Sequence, residues 1–183
     1  MAPKAKMTRD QIVEGAFALV REKGHECLNA RTLASELGCS TQPIFYNFAS
    51  MQELKEEVLK KAWGIYQTYI SSSVLREKYP PYKASGMGYV LFAREEKELF
   101  KWLFMCDRQS APFSAIPMPK EQLQEVYEKT GLTGDGAVEF HQSMWVFVHG
   151  IATMIATGFA DWTEEQIQAA LTKAYQGLYG ERK

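Results

Sequence analysis

The chain reads as all-α with about nine helices, and three observations predict it. Apolar residues recur three and four apart along nearly the whole length, and no convincing run alternates apolar with polar residues. Capping patterns of the form Ser/Thr-x-x-Glu/Gln open several periodic segments, and glycines close them. Proline-rich stretches then divide the remainder into pieces of helical length.

Thr8 and Gln11 cap a first helix whose apolar face is Ile12, Ala16, Leu19 and Val20, and Gly24 closes it. Asn29 is placed to cap a second, in which Leu33 and Leu37 share a face with Ala34 beside them. Gly38 follows, where a left-handed residue is needed and glycine has no steric penalty. Ser40 is expected to cap a third helix, with Pro43 in its first turn, where a missing N–H breaks no hydrogen bond. Ile44 and Phe48 then face inward, leaving Thr41, Gln42 and Tyr46 outward. Ser50 and Glu53 form a capping box for a fourth helix running to about Ser73, with Leu54, Val58, Ala62, Ile65 and Tyr69 as its stripe.

Tyr79-Pro80-Pro81-Tyr82 breaks the pattern, and helices near 82–94 and 96–106 follow. Residues 110–119 hold three prolines and read as a loop. Helices near 120–130, 135–159 and 163–179 complete the chain. The last is capped by Thr163 and Gln166, carries the stripe Ile167, Ala170, Leu171, Ala174 and Leu178, and ends at Gly180.

Two short helices joined through one glycine make a helix-turn-helix, which can place its second helix in the major groove of DNA. Ser40, Thr41, Gln42, Tyr46 and Asn47 are then expected to face the groove, with Pro43 and Phe45 on the same short helix. Gln42 is the candidate for base readout, because its amide can bond an adenine edge in two places. Tyr46 and Thr41 suit phosphate contact or stacking. Arg31 and Lys55 suit phosphate neutralisation, which supplies affinity without sequence information. Lys4, Lys6 and Arg9 form a short basic arm that can also reach phosphates.

Residues 8–54 resemble the N-terminal domain of the TetR/AcrR family of bacterial transcriptional repressors. That family's pattern is a first helix ending at glycine, then Thr-x-x-x-Ile-Ala, Gly-Val-Ser, an aromatic pair ending in Phe, and Ser-Lys at the start of the fourth helix. The matching residues are Gly24, Thr32 to Ala34, Gly38-Cys39-Ser40, Phe45-Tyr46, Phe48 and Ser50. The Thr spacing is shortened, Phe45 stands where a phosphate-contacting Tyr is common, and Met51 stands where a Lys is common. Lys55 offers a cation one turn later. The resemblance implies residues 1–49 as a DNA-binding domain and 50–183 as a helical ligand-binding and dimerisation domain. It also implies a repressor released by a small apolar effector, double-stranded DNA as partner, and a homodimer through about 140–179.

Composition agrees. Of 183 residues, 46% are hydrophobic and 23% charged, the balance of a soluble globular chain. Net charge is −1, with residues 1–61 at +1 and the remainder at −2. Three cysteines without a C-x-x-C pattern argue for a reducing cytoplasm and against a disulfide framework. Residues 1–11 are polar and basic with no apolar run after them, so no secretory signal is expected there. Residues 140–160 lack Asp, Glu, Lys and Arg, but His141, Gln142, Ser143, His149, Thr153 and Thr157 are costly in lipid, so a helix buried in protein is expected instead of a membrane span.

The small residues Gly150, Ala152, Ala156 and Gly158 on that helix permit close approach of another helix, as does the alanine-bearing last helix. The middle of the chain is rich in aromatics and methionines. Most belong to a core, and some are expected to line an effector pocket: Tyr66, Trp102, Tyr127, Met144 and Trp145, with Cys106 and His141 as polar contacts. No cofactor is expected, and no H-E-x-x-H, G-x-S-x-G, P-loop or G-x-G-x-x-G pattern points to an enzyme. The alternative reading is a helical small-molecule-binding protein or enzyme without operator binding.

Overall fold

A computed structural model describes residues 7–106 and 120–180. These contain ten α-helices, one short 3-10 turn and no strand. The helices are α1 Arg9–Lys23, α2 Ala30–Glu36, α3 Gln42–Asn47, α4 Met51–Ile70, α5 Ser73–Lys78, α6 Pro81–Glu95, α7 Lys97–Phe104, α8 Lys120–Thr130, α9 Gly134–Ala156 and α10 Glu164–Gly180, with the 3-10 turn at His25–Cys27. All nine expected helices are present. The tenth, α5, arises because α4 stops at Ile70 and the Ser72 hydroxyl accepts from the Leu75 N–H at 3.4 Å, starting a new helix. The expected loop at 110–119 lies outside the described residues, as do Lys4 and Lys6. No helix among the described residues is long and apolar enough to cross a membrane.

The described residues form two compact units, 7–65 with 96–106 and 66–95 with 120–180. In the first unit, Thr8 and Gln11 close the expected capping box on α1, with bonds of 3.2 and 2.9 Å. The core joins Ile12, Leu19 and Val20 of α1 to Leu33 of α2, Ile44 of α3 and Leu54 and Val58 of α4. Each such side chain contributes about 1.5–3 kcal/mol when fully buried. The α2 end comes very close to α1 at Gly15, where an added Cβ would lie 2.4 Å from Leu37 Cδ2. Helix α7 packs in this unit, although it follows α6 in sequence. Buried Leu99, Phe100 and Leu103 form its inward face. Glu96 just before it takes a two-pronged hydrogen bond from the Arg21 guanidinium, whose Nε lies 2.6 Å from Oε2. The His25 ring stacks on Trp102 at 5.5 Å, and its Nε2 meets Cys106 Sγ at 3.3 Å.

In the second unit α6 packs along α9, with α8 and α10 against both. Helix α9 buries Phe140, His141, Met144, Val148, Ile151 and Ile155 on one face. Its opposite face leaves Val146 and Phe147 exposed, so the uncharged run is buried on one side and open on the other. Ile167 and Leu171 of α10 point into the unit's own interior. Gly88 of α6 lies under the end of α4. A Cβ there would fall 2.2 Å from the Tyr69 carbonyl oxygen.

Candidate nucleic-acid interface and effector cavity

Helix α2 begins as expected. Asn29 Oδ1 accepts from the N–H groups of Arg31 and Thr32 at 3.1 and 3.0 Å. It ends in a Schellman motif, with Cys39 N–H to Ala34 O at 2.9 Å and Gly38 N–H to Ser35 O at 3.2 Å, and with Gly38 at φ +61°. The start of α3 differs from expectation. The capping position is Thr41 in a helical conformation, and no side chain caps it. The hydroxyls of Ser40 and Thr41 are therefore not consumed by capping.

Ile44 is the buried side of this six-residue helix. Its other side presents Gln42, Phe45 at 51% exposure and Tyr46 at 71%. Gln42 Nε2 donates to the Tyr46 hydroxyl at 2.8 Å, which joins the two polar groups into one unit. Pro43 occupies the first turn, as expected. Asn47 is placed differently. Its amide donates inward to Pro43 O at 2.8 Å and Met7 O at 3.3 Å, so it acts as a strut for α3.

Arg9 is likewise committed within the chain. Its Nη1 donates to Asn47 O at 2.7 Å, its Nη2 lies 2.9 Å from Glu53 Oε1, and its guanidinium sits 4.1 Å from the Phe48 ring centre. Glu53 also accepts from the Ala49 N–H at 2.7 Å. That bond first, and Arg9 second, hold its carboxyl below the usual carboxylate range. Arg31 is exposed and Lys55 half-buried, and neither has a carboxylate partner among the described residues.

The second unit contains a cavity of about 390 Å³. Tyr66 and Ile70 at the end of α4, the first turns of α6, Gln122 and Lys129 of α8, and the inner faces of α9 and α10 line it. Of the seven residues expected at an effector pocket, the structure brings four here: Tyr66, His141, Met144 and Trp145. It does not bring the other three. Trp102 and Cys106 belong to the first unit beside His25, and Tyr127 is an exposed residue of α8 outside the lining. Their aromatic or thiol character alone does not tell which face of a helix they occupy.

Sequence reading missed Tyr82, Lys83, Tyr89 and Tyr175, which all line the cavity. The only signal for the first two was their position just after the Pro80-Pro81 break, which fixes where α6 starts. Tyr82 donates or accepts at His141 Nδ1 at 3.0 Å, and Tyr89 pairs in the same way with His149 Nδ1 at 2.9 Å. Burial pushes the Tyr66 and Tyr82 hydroxyls well above the ordinary phenol range, so they remain neutral hydrogen-bonding groups. Burial also lowers His149 below its usual value, favouring the neutral ring.

No protein-family model matches this chain, and no curated protein sequence does. Among solved structures, its fold is similar to that of a TetR family protein from Vibrio parahaemolyticus, assigned there as a transcriptional regulator. The TM-score is 0.60 at 18% identity, over 92% of this chain and 96% of that one. At that identity the likeness is one of fold, and the fold is TetR-like.

Proposed function

We propose that this chain is a TetR-type transcriptional regulator and no enzyme: a cytoplasmic, homodimeric repressor that binds a near-palindromic operator and is released by a small molecule. The observation that carries the reading is the outer face of α3. A six-residue helix held by a helix-turn-helix exposes a linked Gln42–Tyr46 pair, flanked by Phe45. Such a face suits the major groove: the glutamine amide reads an adenine edge, Tyr46 and Thr41 meet phosphate or stack, and Ser40 sits at the entry. Arg31 and Lys55 neutralise phosphates. The TetR-like fold supports the same reading.

The cavity is the effector site of this proposal. Its volume falls in the range of small-molecule pockets, about 300–1,000 Å³. Helix α4 contributes residues to both units, so a ligand that displaces its Tyr66–Ile70 end can alter the disposition of α3. The dimer is supported by the exposed Val146 and Phe147 on the uncharged 140–156 stretch of α9.

Selection from random duplexes tests the reading. The expected result is an enriched near-palindrome with half-sites about one helical turn apart. Gln42→Ala should then cost about 1–3 kcal/mol at one base pair and relax preference there. Phe45 and Met51, in place of the family's Tyr and Lys, favour a second reading, a small-molecule-binding protein without operator binding. A selection that enriches no motif would establish that second reading over the first.

A further inference from the structure

The effector cavity has an uneven charge. Among the described residues the ionic side chains that line it are Lys83 and Lys129, and no Asp or Glu does. Lys129 is exposed and marks the rim, whereas Lys83 is half-buried in the first turn of α6. Its Nζ donates to Thr172 Oγ1 at 2.9 Å and lies 5.3 Å from the Tyr79 ring centre. Thr172, itself a lining residue, spends its hydroxyl hydrogen on Gln168 O at 2.8 Å, so its lone pairs face the ammonium. Lys83 has no carboxylate partner among the described residues. The nearby acid Glu125 is paired with Arg76 at 3.4 Å and lies outside the lining.

This is a costly place for a cation. The start of a helix is the positive end of its dipole. Burial there already pushes the Lys83 amine below its usual value. A neutral hydroxyl offsets only part of that, and two of the three ammonium donors remain for a ligand. The walls around it are aromatic: Tyr66, Tyr82, Tyr89, Trp145 and Tyr175. Aromatic walls favour flat aromatic bodies through edge-to-face and offset contacts.

We propose that the cavity selects an aromatic anion, its ring system among the tyrosines and Trp145 and its acidic group at Lys83. The inference rests on reading this cavity as the effector site, and it names the chemical class of the effector.

Two fluorescent probes that share one aromatic body separate the claims: 1-anilinonaphthalene-8-sulfonate, which is anionic, and N-phenyl-1-naphthylamine, which is neutral. Both are titrated into the full-length protein. The expected result is saturable binding of both, mutual competition, and weakening of only the anionic probe by added salt. Lys83→Met should lower the anionic-to-neutral affinity ratio about tenfold, the scale of one hydrogen-bonded charge contact, and Lys83→Arg should restore it. Lys83 is half-exposed, so both variants are expected to fold, which a thermal melt checks. A ratio unmoved by Lys83→Met, with the neutral probe still bound and displaced, overturns the anion preference and leaves the effector site standing. Failure of both probes to bind saturably overturns the cavity reading and this inference together.

Discussion

Arg21 and Glu96 show how one residue's neighbours set its energetics. The glutamate side chain is 2% exposed and the arginine 56%. The carboxylate sits at the start of α7, where the helix dipole favours a negative charge. The arginine supplies two hydrogen bonds that pay for its burial. Removing the arginine alone leaves a desolvated carboxylate. Arg21→Ala is therefore expected to destabilise the protein by roughly 3 kcal/mol, visible as a lower midpoint in urea. The double variant Arg21→Ala/Glu96→Ala should recover part of that loss, because no charge is then stranded. A purely additive double variant would mean that the pair is not coupled. Arg9 teaches the same lesson from the other side. Its place in a basic arm suggested phosphate contact, but it is spent on Asn47, Glu53 and Phe48.

At the scale of elements, capping and close approach decide where helices start and how near they come. The boxes at Thr8–Gln11 and Thr163–Gln166 are closed as the sequence pattern requires. The α6 helix depends on Gly88 in a way that no cap reveals. Its missing side chain admits the Tyr69 carbonyl at the end of α4. Because the obstacle is backbone, it cannot swing aside as a flexible side chain does. Gly88→Ala is expected to cost about 1–3 kcal/mol or more, despite alanine's better helix propensity. Gly64→Ala, on α4 with nothing within 4 Å of its Cβ, should instead stabilise by about 0.5–1 kcal/mol. Thermal unfolding of the two variants checks the opposite signs, and a stabilised Gly88→Ala would contradict the close approach.

For the whole molecule the question is how two copies meet. The α10 stripe that looked suited to a partner holds Ile167 and Leu171, which are buried in their own unit, so a charge at Leu171 would report folding. Phe147 on α9 is 41% exposed and tests association directly. In the proposed dimer, Phe147→Glu places a charge at the interface, and we expect monomers at micromolar concentration that keep their melting temperature within a few degrees. Operator affinity should fall with dimerisation, since one half-site then binds alone. Light scattering reads the mass, and a wild-type monomer would refute the dimer. Ligand and operator must also weaken each other by the same factor, typically worth about 1–3 kcal/mol.

The all-α fold, nearly every helix boundary and the helix-turn-helix were legible because their causes are local. A cap, a positive-φ glycine or a proline acts within four residues, and helical periodicity reports one buried face. Gln42 and Tyr46 of the expected outward set are exposed and Thr41 half-buried, as follows from Ile44 and Phe48 being the inward ones, and Phe45 is exposed beside them. Asn47 did not, because its partners include Met7, forty residues away. The cavity was half legible for the same reason. The aromatic and methionine-rich composition of the chain offered His141, Met144 and Trp145 of α9, whereas Lys83 and Tyr175 joined them only through the packing of α6 and α10. Trp102 went to the first unit because α7 packs on α1 there, with Arg21 and Glu96 bonded across 75 residues. Local chemistry determines helices and their inward faces. Which helix those faces meet is decided by long-range packing, and so is the company each polar side chain keeps.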